Sequence, residues 1–345
     1  MILTIGKFEG LHLGHQALLA EVTKLSKELK MPAAMMVFDP HPQVFFSNEI
    51  RPLLFTNNER AKILAGLGID VVQSMRNGLD GVTSENAKRA FSGAFVTRGR
   101  TDFELFHYRV ITIPFDEHLA NMHASDFCTK IFCELGAKMV IVGENYRFGK
   151  NRKGDVTLLQ DESKKYGASV RTVSPVTVVN DVCDSTSPTK ISTFDIRQLV
   201  TAGEVQACAK LLGFRYHITG VTQKGRQLGR SIGFPTLNIY PAVDKLLPPH
   251  GVYATTVEIV GDTAVEMHKG ITNVGVRPTV DDNATVSVET NLLLMENSIF
   301  PANFYGKEIT VHFDKFVRFE QRFDSIDELK AQIALDVESC ANVKP

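Results

Sequence analysis

The spacing of hydrophobic positions changes once along the chain. Through residues 1–200, short apolar runs alternate with helical repeats. Ile2–Ile5 reads as a strand, and Leu18, Val22, Leu25 and Leu29 then fall on one helical face. Ala33–Phe38 reads as a second buried strand. Lys138–Val142 and Ser169–Val173 follow as later strands, each after a helical stretch. Such alternation predicts an α/β domain whose parallel sheet is covered on both faces. From residue 212 to 320 the period becomes two. Gly251–Val260, the run around Val286, Val288, Glu289 and Thr290, and the run of Ile309, Val311 and Phe313 are separated by turn residues. That spacing predicts an antiparallel β-barrel or sandwich. A closing helix is expected over Ser325–Ser339, carrying Ile326, Leu329 and Ile333.

The seam falls near residues 181–205, where Cys183–Thr189 is polar and turn-rich. The expected domains are therefore 1–200 and 201–345. A chain of 345 residues fits two domains at roughly 100–200 residues each. With 43% hydrophobic and 22% charged residues, the composition is that of an ordinary globular protein. A formal net charge of −1 gives no general attraction to nucleic acid or anionic membrane. The five cysteines are odd in number and none has CxxC spacing, which argues against a disulfide framework or a zinc knuckle. The start MILTIGKF is not a secretory signal, and no apolar run reaches membrane-spanning length. A cytoplasmic protein is expected.

Two segments carry candidate chemistry. In the first, strand one runs into Gly6-Lys7-Phe8-Glu9-Gly10-Leu11-His12-Leu13-Gly14-His15, and a helix follows. Glycines allow a tight turn and close approach to a phosphate chain. The helix start offers free N–H groups. His12 and His15 can place two imidazole donors on one triphosphate, where adenylyl transfer builds negative charge. The motif lies between strand one and helix one of an α/β domain, where ligands usually bind, which favours this reading over a glycine turn with incidental histidines. Asp39-Pro40-His41-Pro42 follows the second strand, and Gly143–Gly149 follows the Lys138–Val142 strand, with Lys150, Arg152 and Lys153 behind it. Taken alone, the first reads equally as a rigid surface turn and the second as a solvated basic loop.

The second segment is Gly225–Asn238, glycine-rich and basic, ending in Pro235-Thr236-Leu237-Asn238. A glycine loop can wrap phosphates with backbone N–H groups. In an extended segment Thr236 and Asn238 project to the same side. Their hydroxyl and amide oxygens suit Mg²⁺ beside a nucleotide. The GxxxxGK[ST] pattern is missing, so this is not a Walker loop. Phosphoryl transfer also needs a group to receive the acceptor's proton, and Glu289 could serve. A lone Glu on a strand is more often a solvated outward residue, so spacing alone assigns it no role.

In order along the chain, IGKFEGLHLGH, FDPHP, VGENYRFGKNRKGD, ISTFDIR, GRSIGFPTLN, GVYA, NVGVRPT, VET and FVRFEQRF resemble the bacterial bifunctional riboflavin kinase/FAD synthetases. The resemblance covers nearly the whole chain. It implies a Rossmann-like HxGH nucleotidylyltransferase domain that makes FAD from FMN and ATP, releasing pyrophosphate, and a barrel that phosphorylates riboflavin. It implies that Gly6, Phe8, Gly10, His12, Gly14, His15, Asn145, Arg147 and Arg197 contact ATP in the first domain. In the second, Gly225, Gly229, Pro235, Thr236 and Asn238 would hold ATP. Thr236, Asn238 and Asn145 would bind Mg²⁺, and Glu289 would be the general base. Phe38, Asp39 and Pro40, with Arg277 and Arg318 in the barrel, would contact flavin. Partners are limited to ATP, riboflavin and FMN, with no nucleic acid or membrane, in a monomer or weak homo-oligomer.

The chain departs from the family pattern at several positions: Glu9 for Asp, Lys7 for Asn, Phe194 for Thr, and Asn291 for the His after the catalytic Glu. The sheet is expected to start at residue 1, without the leader of the family pattern, and residues 76–109 read as an insertion, first as a solvated excursion rather than a lid. Because most departures cluster near the adenylyl-transfer motif, the expectation is an intact kinase with FAD synthesis retained but slower or altered in preference. The competing readings are a monofunctional kinase, an HxGH nucleotidylyltransferase for another substrate with an accessory barrel, and a flavin-binding sensor without turnover.

Overall fold

The computed structural model describes residues 1–47, 51–76, 106–178, 189–224, 232–260, 265–277, 285–293, 304–341 and 343. The chain forms two compact units, Met1–Arg51 with Arg60–Ile191, and Pro52–Glu59 with Ser192–Pro345.

The first unit is built on strands β1 (Ile2–Ile5), β2 (Ala33–Asp39), β3 (Ile69–Arg76), β4 (Phe106–Pro114), β5 (Met139–Gly143) and β6 (Ser169–Val173). Their order is β3-β4-β2-β1-β5-β6, and every pairing is parallel. Helix α1 (Leu13–Leu29), followed along the chain by α2 (Pro42–Ser47), α3 (Asn57–Gly66), α4 (Glu117–Asn121), α5 (Ala124–Thr129) and α6 (Val156–Lys165), covers one face with Leu18, Leu19, Val22 and Leu25. Leu29 is expected on this apolar face but, as the last residue of the helix, is 47% exposed. On the other face Leu3, Ile5, Met36, Ile111, Val140 and Val142 pack against Phe127, Ile131, Phe132 and Leu135. Each such side chain taken from water contributes about 1.5–3 kcal/mol. Arg76 ends β3 and Arg109 lies in β4, so these ends of the expected insertion are sheet; residues 77–105 lie outside the described residues.

After a two-stranded antiparallel pair, β7 (Thr177–Val178) and β8 (Thr189–Lys190), the second unit is a six-stranded antiparallel sheet of β9 (His217–Val221), β10 (Thr236–Ile239), β11 (Gly251–Val260), β12 (Val265–Arg277), β13 (Thr285–Leu292) and β14 (Glu308–Phe319). The order is β10-β13-β12-β11-β14-β9. The sheet curls until Gln223 N donates to Asn238 O at 2.8 Å, which brings its two edges together as an open barrel. Its interior holds Tyr253, Val257, Thr272, Val274, Val288, Thr290 and Leu237, all fully buried. The interior threonines satisfy one another, with Thr255–Thr272 and Thr272–Thr290 hydroxyls both 2.8 Å apart. Helix α9 (Ile326–Ala341) lies on the outer face through Val337 and Cys340, over Val252, Ala254 and Ile271. Gly251 has no room for a Cβ, which would fall 2.5 Å from Arg318 O.

Residue 200 falls inside α7 (Thr193–Ala202), which buries Ile196 and Val200 and packs with α8 (Val205–Leu212). A helical pair cannot be cut there, and the division comes just before it, at Ile191/Ser192. No local pattern marks Pro52–Glu59 as the segment that completes the second unit. Leu53 N donates to Asp244 O at 2.5 Å and Leu53 O accepts from Leu246 N at 2.7 Å, a bridge that brackets Lys245. Glu59 and Lys245, with side chains only 1% exposed, pair at 2.9 Å.

Candidate active sites

In the first unit the strand order reverses direction between β1 and β5, so the loops after them flank the crevice where parallel sheets take ligands. The β1 loop delivers the two histidines. His12 is the N-cap of α1, its Nδ1 accepting from His15 N at 3.4 Å. The imidazoles stack with centroids 3.8 Å apart, and Phe8 packs 5.2 Å from His15. The turn was expected to depend on glycine freedom. Instead, the left-handed residues are Phe8 (φ 45°) and Leu11 (φ 46°), both buried, and their burial holds the strained backbone. The glycines act through close approach: a Cβ at Gly14 would lie 3.1 Å from the His12 ring and one at Gly6 3.0 Å from Phe8. Gly10 is buried within the same loop.

Burial, and then the neighbouring His12, hold the His15 imidazole well below its ordinary pKa of 6.5. Its Nδ1 is buried without a hydrogen-bond partner among the described residues. A neutral ring with an unmet polar atom beside a helix start is suited to meet a phosphate oxygen. Glu9 is also drawn inside, 4% exposed, with Oε2 3.9 Å from His41 Nε2. The Arg60 guanidinium lies within the field of Glu9 and Asp39.

The β2 loop places half-buried Phe38 and exposed Asp39 and Pro40 at the same sheet edge. An aromatic cluster that the sequence reading missed adjoins them. Phe115 contacts Phe38, Phe45 and Phe46 at 5.9, 5.4 and 5.8 Å, and Phe46 is 69% exposed. The adjacent Phe45-Phe46 pair after DPHP was the available signal. In the β5 loop, Asn145 and Arg147 are exposed, and Arg147 reaches Asp155 at 3.8 Å. This loop is not a loose basic excursion. Tyr146 stacks on Phe148, and Gly149 lies so near Ala124 that a Cβ would approach to 2.8 Å. Arg197, expected at the triphosphate, belongs to the second unit, where it donates to Pro52 O at 2.6 Å.

In the second unit, register assembles the site. Asn238 on β10 lies directly opposite Glu289 on β13, and Thr236 opposite Asn291. All four project from one face, the outer one that also carries α9, while Leu237, Val288 and Thr290 point into the core. Asn238 is 3% exposed. Its Nδ2 faces the Thr236 carbonyl and hydroxyl at 3.5 and 3.4 Å, leaving Oδ1 buried without a partner among the described residues. An orphaned amide oxygen beside a threonine hydroxyl fits a hard divalent cation. Ser287 Oγ donates to Glu289 Oε1 at 3.3 Å. Asn291, which replaces the family histidine, donates to Pro235 O at 2.8 Å and so anchors the end of the glycine loop. Gly225, Gly229 and the Arg277 side chain lie outside the described residues. Arg318, expected near flavin, is committed to Asp336 of α9 through Nε and Nη2, at 3.0 and 2.7 Å; it fastens helix to strand.

Comparison with known proteins agrees with both halves. Residues 1–80 and 106–187 match the FAD synthetase family model, and residues 212–344 match the riboflavin kinase model. The chain is 31% identical over 337 residues to the bifunctional riboflavin kinase/FMN adenylyltransferase of Escherichia coli strain K12, covering 97% of this chain and 90% of that one. It is 29% identical to the protein so named from Listeria monocytogenes, with the same coverages. A crystal structure described as a macrolide-efflux protein from Streptococcus pneumoniae superposes with a TM-score of 0.71 at 24% identity, over 99% of this chain and 94% of that one, and so shares its fold. Among the described residues, no helix is long and apolar enough to cross a membrane.

Proposed function

Since this chain belongs to the bifunctional riboflavin kinase/FMN adenylyltransferases, we propose that its two reactions divide between the two phosphate seats. The protein phosphorylates riboflavin to FMN and adenylylates FMN to FAD. The observation that carries the kinase assignment is the cross-strand pairing of Asn238 with Glu289, beside a buried oxygen lacking a partner.

In the kinase site Thr236 Oγ1 and Asn238 Oδ1 would hold Mg²⁺, which would supply positive charge against the ATP phosphates. Glu289 receives the proton of the terminal ribityl hydroxyl as its oxygen attacks the γ-phosphorus and ADP leaves. In the adenylyltransferase site an FMN phosphate oxygen attacks the α-phosphorus of ATP, and the bond to the pyrophosphate oxygen breaks. His12 and His15 contact the triphosphate, with Asn145 and Arg147 on the facing loop as further ligands. Fixed donors at this point lower the barrier as charge shifts onto the leaving group. Phe38 and Pro40, with Phe45, Phe46 and Phe115, offer the flavin ring an exposed aromatic edge. Glu9 is buried beside His41 rather than splayed into the crevice, which supports retained FAD synthesis despite its extra methylene.

Two variants test the division. Glu289→Gln should abolish FMN formation and spare conversion of supplied FMN to FAD, whereas His15→Ala should do the reverse. Equal damage to both reactions by both variants would refute two separate sites.

A further inference from the structure

The outer face of the barrel continues beyond Glu289. Across the sheet the order is Asn238 on β10, Glu289 on β13 and Asn273 on β12, each directly opposite the next. Neighbouring strands are about 4.8 Å apart. The metal-suited oxygens thus lie on one side of the proposed base, and Asn273 lies on the other. Phosphoryl transfer needs donor and acceptor on opposite sides of the transferred group, roughly in line. An ATP held over β10 would leave the space over β12 for the acceptor's polyol chain.

The polar groups there suit that chain. Asn273 Nδ2 donates to Glu320 Oε1 at 3.0 Å. Glu320 lies just past the end of β14, yet its carboxylate reaches over Gly275 of β12, where a Cβ would overlap Oε1. Gly275 lies opposite Ser287, the residue that donates to Glu289. The Arg318–Asp336 clamp two residues earlier holds this strand end against α9. Glu320 is exposed, so its remaining acceptor positions face outward. A carboxylate and an amide side by side can take and give hydrogen bonds to vicinal hydroxyls.

We propose that Glu320, held by Asn273 in the space left by Gly275, is the specificity-determining contact for the ribityl hydroxyls of riboflavin, and that it aims the terminal hydroxyl at Glu289. The proposal rests on the reading of Glu289 as base. It makes the acceptor site a polyol reader as well as a ring binder.

The test is steady-state kinase kinetics on the full chain, with lumiflavin, which has the ring but no ribityl hydroxyls, as a competitive inhibitor. Exchanging a charged for a neutral hydrogen-bond partner in Glu320→Gln should raise the riboflavin KM about tenfold. The ATP KM, the lumiflavin Ki and FMN-to-FAD conversion should stay within about twofold. Gly275→Ala should reproduce the riboflavin effect by displacing the carboxylate. If Glu320→Gln leaves the riboflavin KM unchanged, or weakens lumiflavin equally, Glu320 does not read the polyol. Glu289→Gln is the separate control: full turnover in that variant would sink the base assignment, while the Glu320 comparison would still report on the polyol contact.

Discussion

Glu59→Gln should destabilise the kinase unit far more than its distance from the kinase site suggests. Glu59 lies in the short segment that completes this unit, and its carboxylate is fully used. Oε2 accepts from Thr56 N at 2.8 Å and from Lys245 Nζ at 2.9 Å, while Oε1 accepts from Thr219 N at 2.9 Å. Lys245 also donates to Leu54 O at 2.6 Å and lies 4.5 and 4.6 Å from the Phe55 and Tyr216 ring centroids. The amide keeps the shape but removes the charge that balances a buried ammonium. Removing one partner of a buried pair costs about 3–5 kcal/mol. For a unit of this size that is a drop in Tm on the order of 10 °C. Loss of riboflavin phosphorylation on heating, followed beside a calorimetric melt, reads the effect.

The charge itself has a pH signature. Burial pulls the Lys245 ammonium from 10.5 down to about 8, with Glu59 opposing that shift. Between those values the unfolded chain binds more protons than the folded one, so this group makes stability rise with pH from about 8 towards 10.5. Lys245→Met should remove that rise. A Glu59→Gln protein melting within a degree of wild type, or an unchanged alkaline slope in Lys245→Met, would refute the argument.

Three further outcomes follow from the sites. Asn238→Ala should lower riboflavin phosphorylation by at least tenfold and raise the Mg²⁺ concentration it requires, measured by magnesium titration of FMN formation. The folded His15 stays neutral well below 6.5, whereas an unfolded His15 takes up a proton near that value. Acidification below pH 6.5 should therefore cost the wild type more stability than His15→Asn, in paired melts across pH 5–7. Arg318→Ala leaves Asp336 buried without its cation and should cost about 3–5 kcal/mol, seen as early loss of hydrogen-exchange protection in α9.

Much of the fold was legible because the apolar period is a local property. The β1–α1 and β2 boundaries and the change to period two at the barrel follow from neighbours within a few residues. The Glu59–Lys245 pair was not legible, since its members are 186 residues apart and each reads as an ordinary surface charge. The same limit explains Arg318. Its motif suggested a ligand contact, while its partner Asp336, on a helix 18 residues further on, left no local signal. Phe8 and Leu11 occupy left-handed conformations that the sequence would assign to the adjacent glycines, because burial rather than intrinsic preference decides there.

The two phosphate seats differ in how sequence specifies them, and this predicts how each tolerates change. The histidine seat is made within one turn of one helix, so His12, Gly14 and His15 determine one another's positions. The kinase seat depends on register between β10 and β13, strands about fifty residues apart in the chain. A one-residue slip there would move Glu289 to the opposite face from Asn238 and exchange it with a core threonine. Thr290, Thr272 and Thr255 hold β13, and with it Glu289, in place, because their hydroxyl chain across β13, β12 and β11 is satisfied only in the present register of those three strands. Thr272→Val should therefore impair riboflavin phosphorylation, although its side chain points away from the site, because it leaves two buried hydroxyls short of a partner. The adenylyltransferase reaction, which owes nothing to this register, should continue at its normal rate in the same protein.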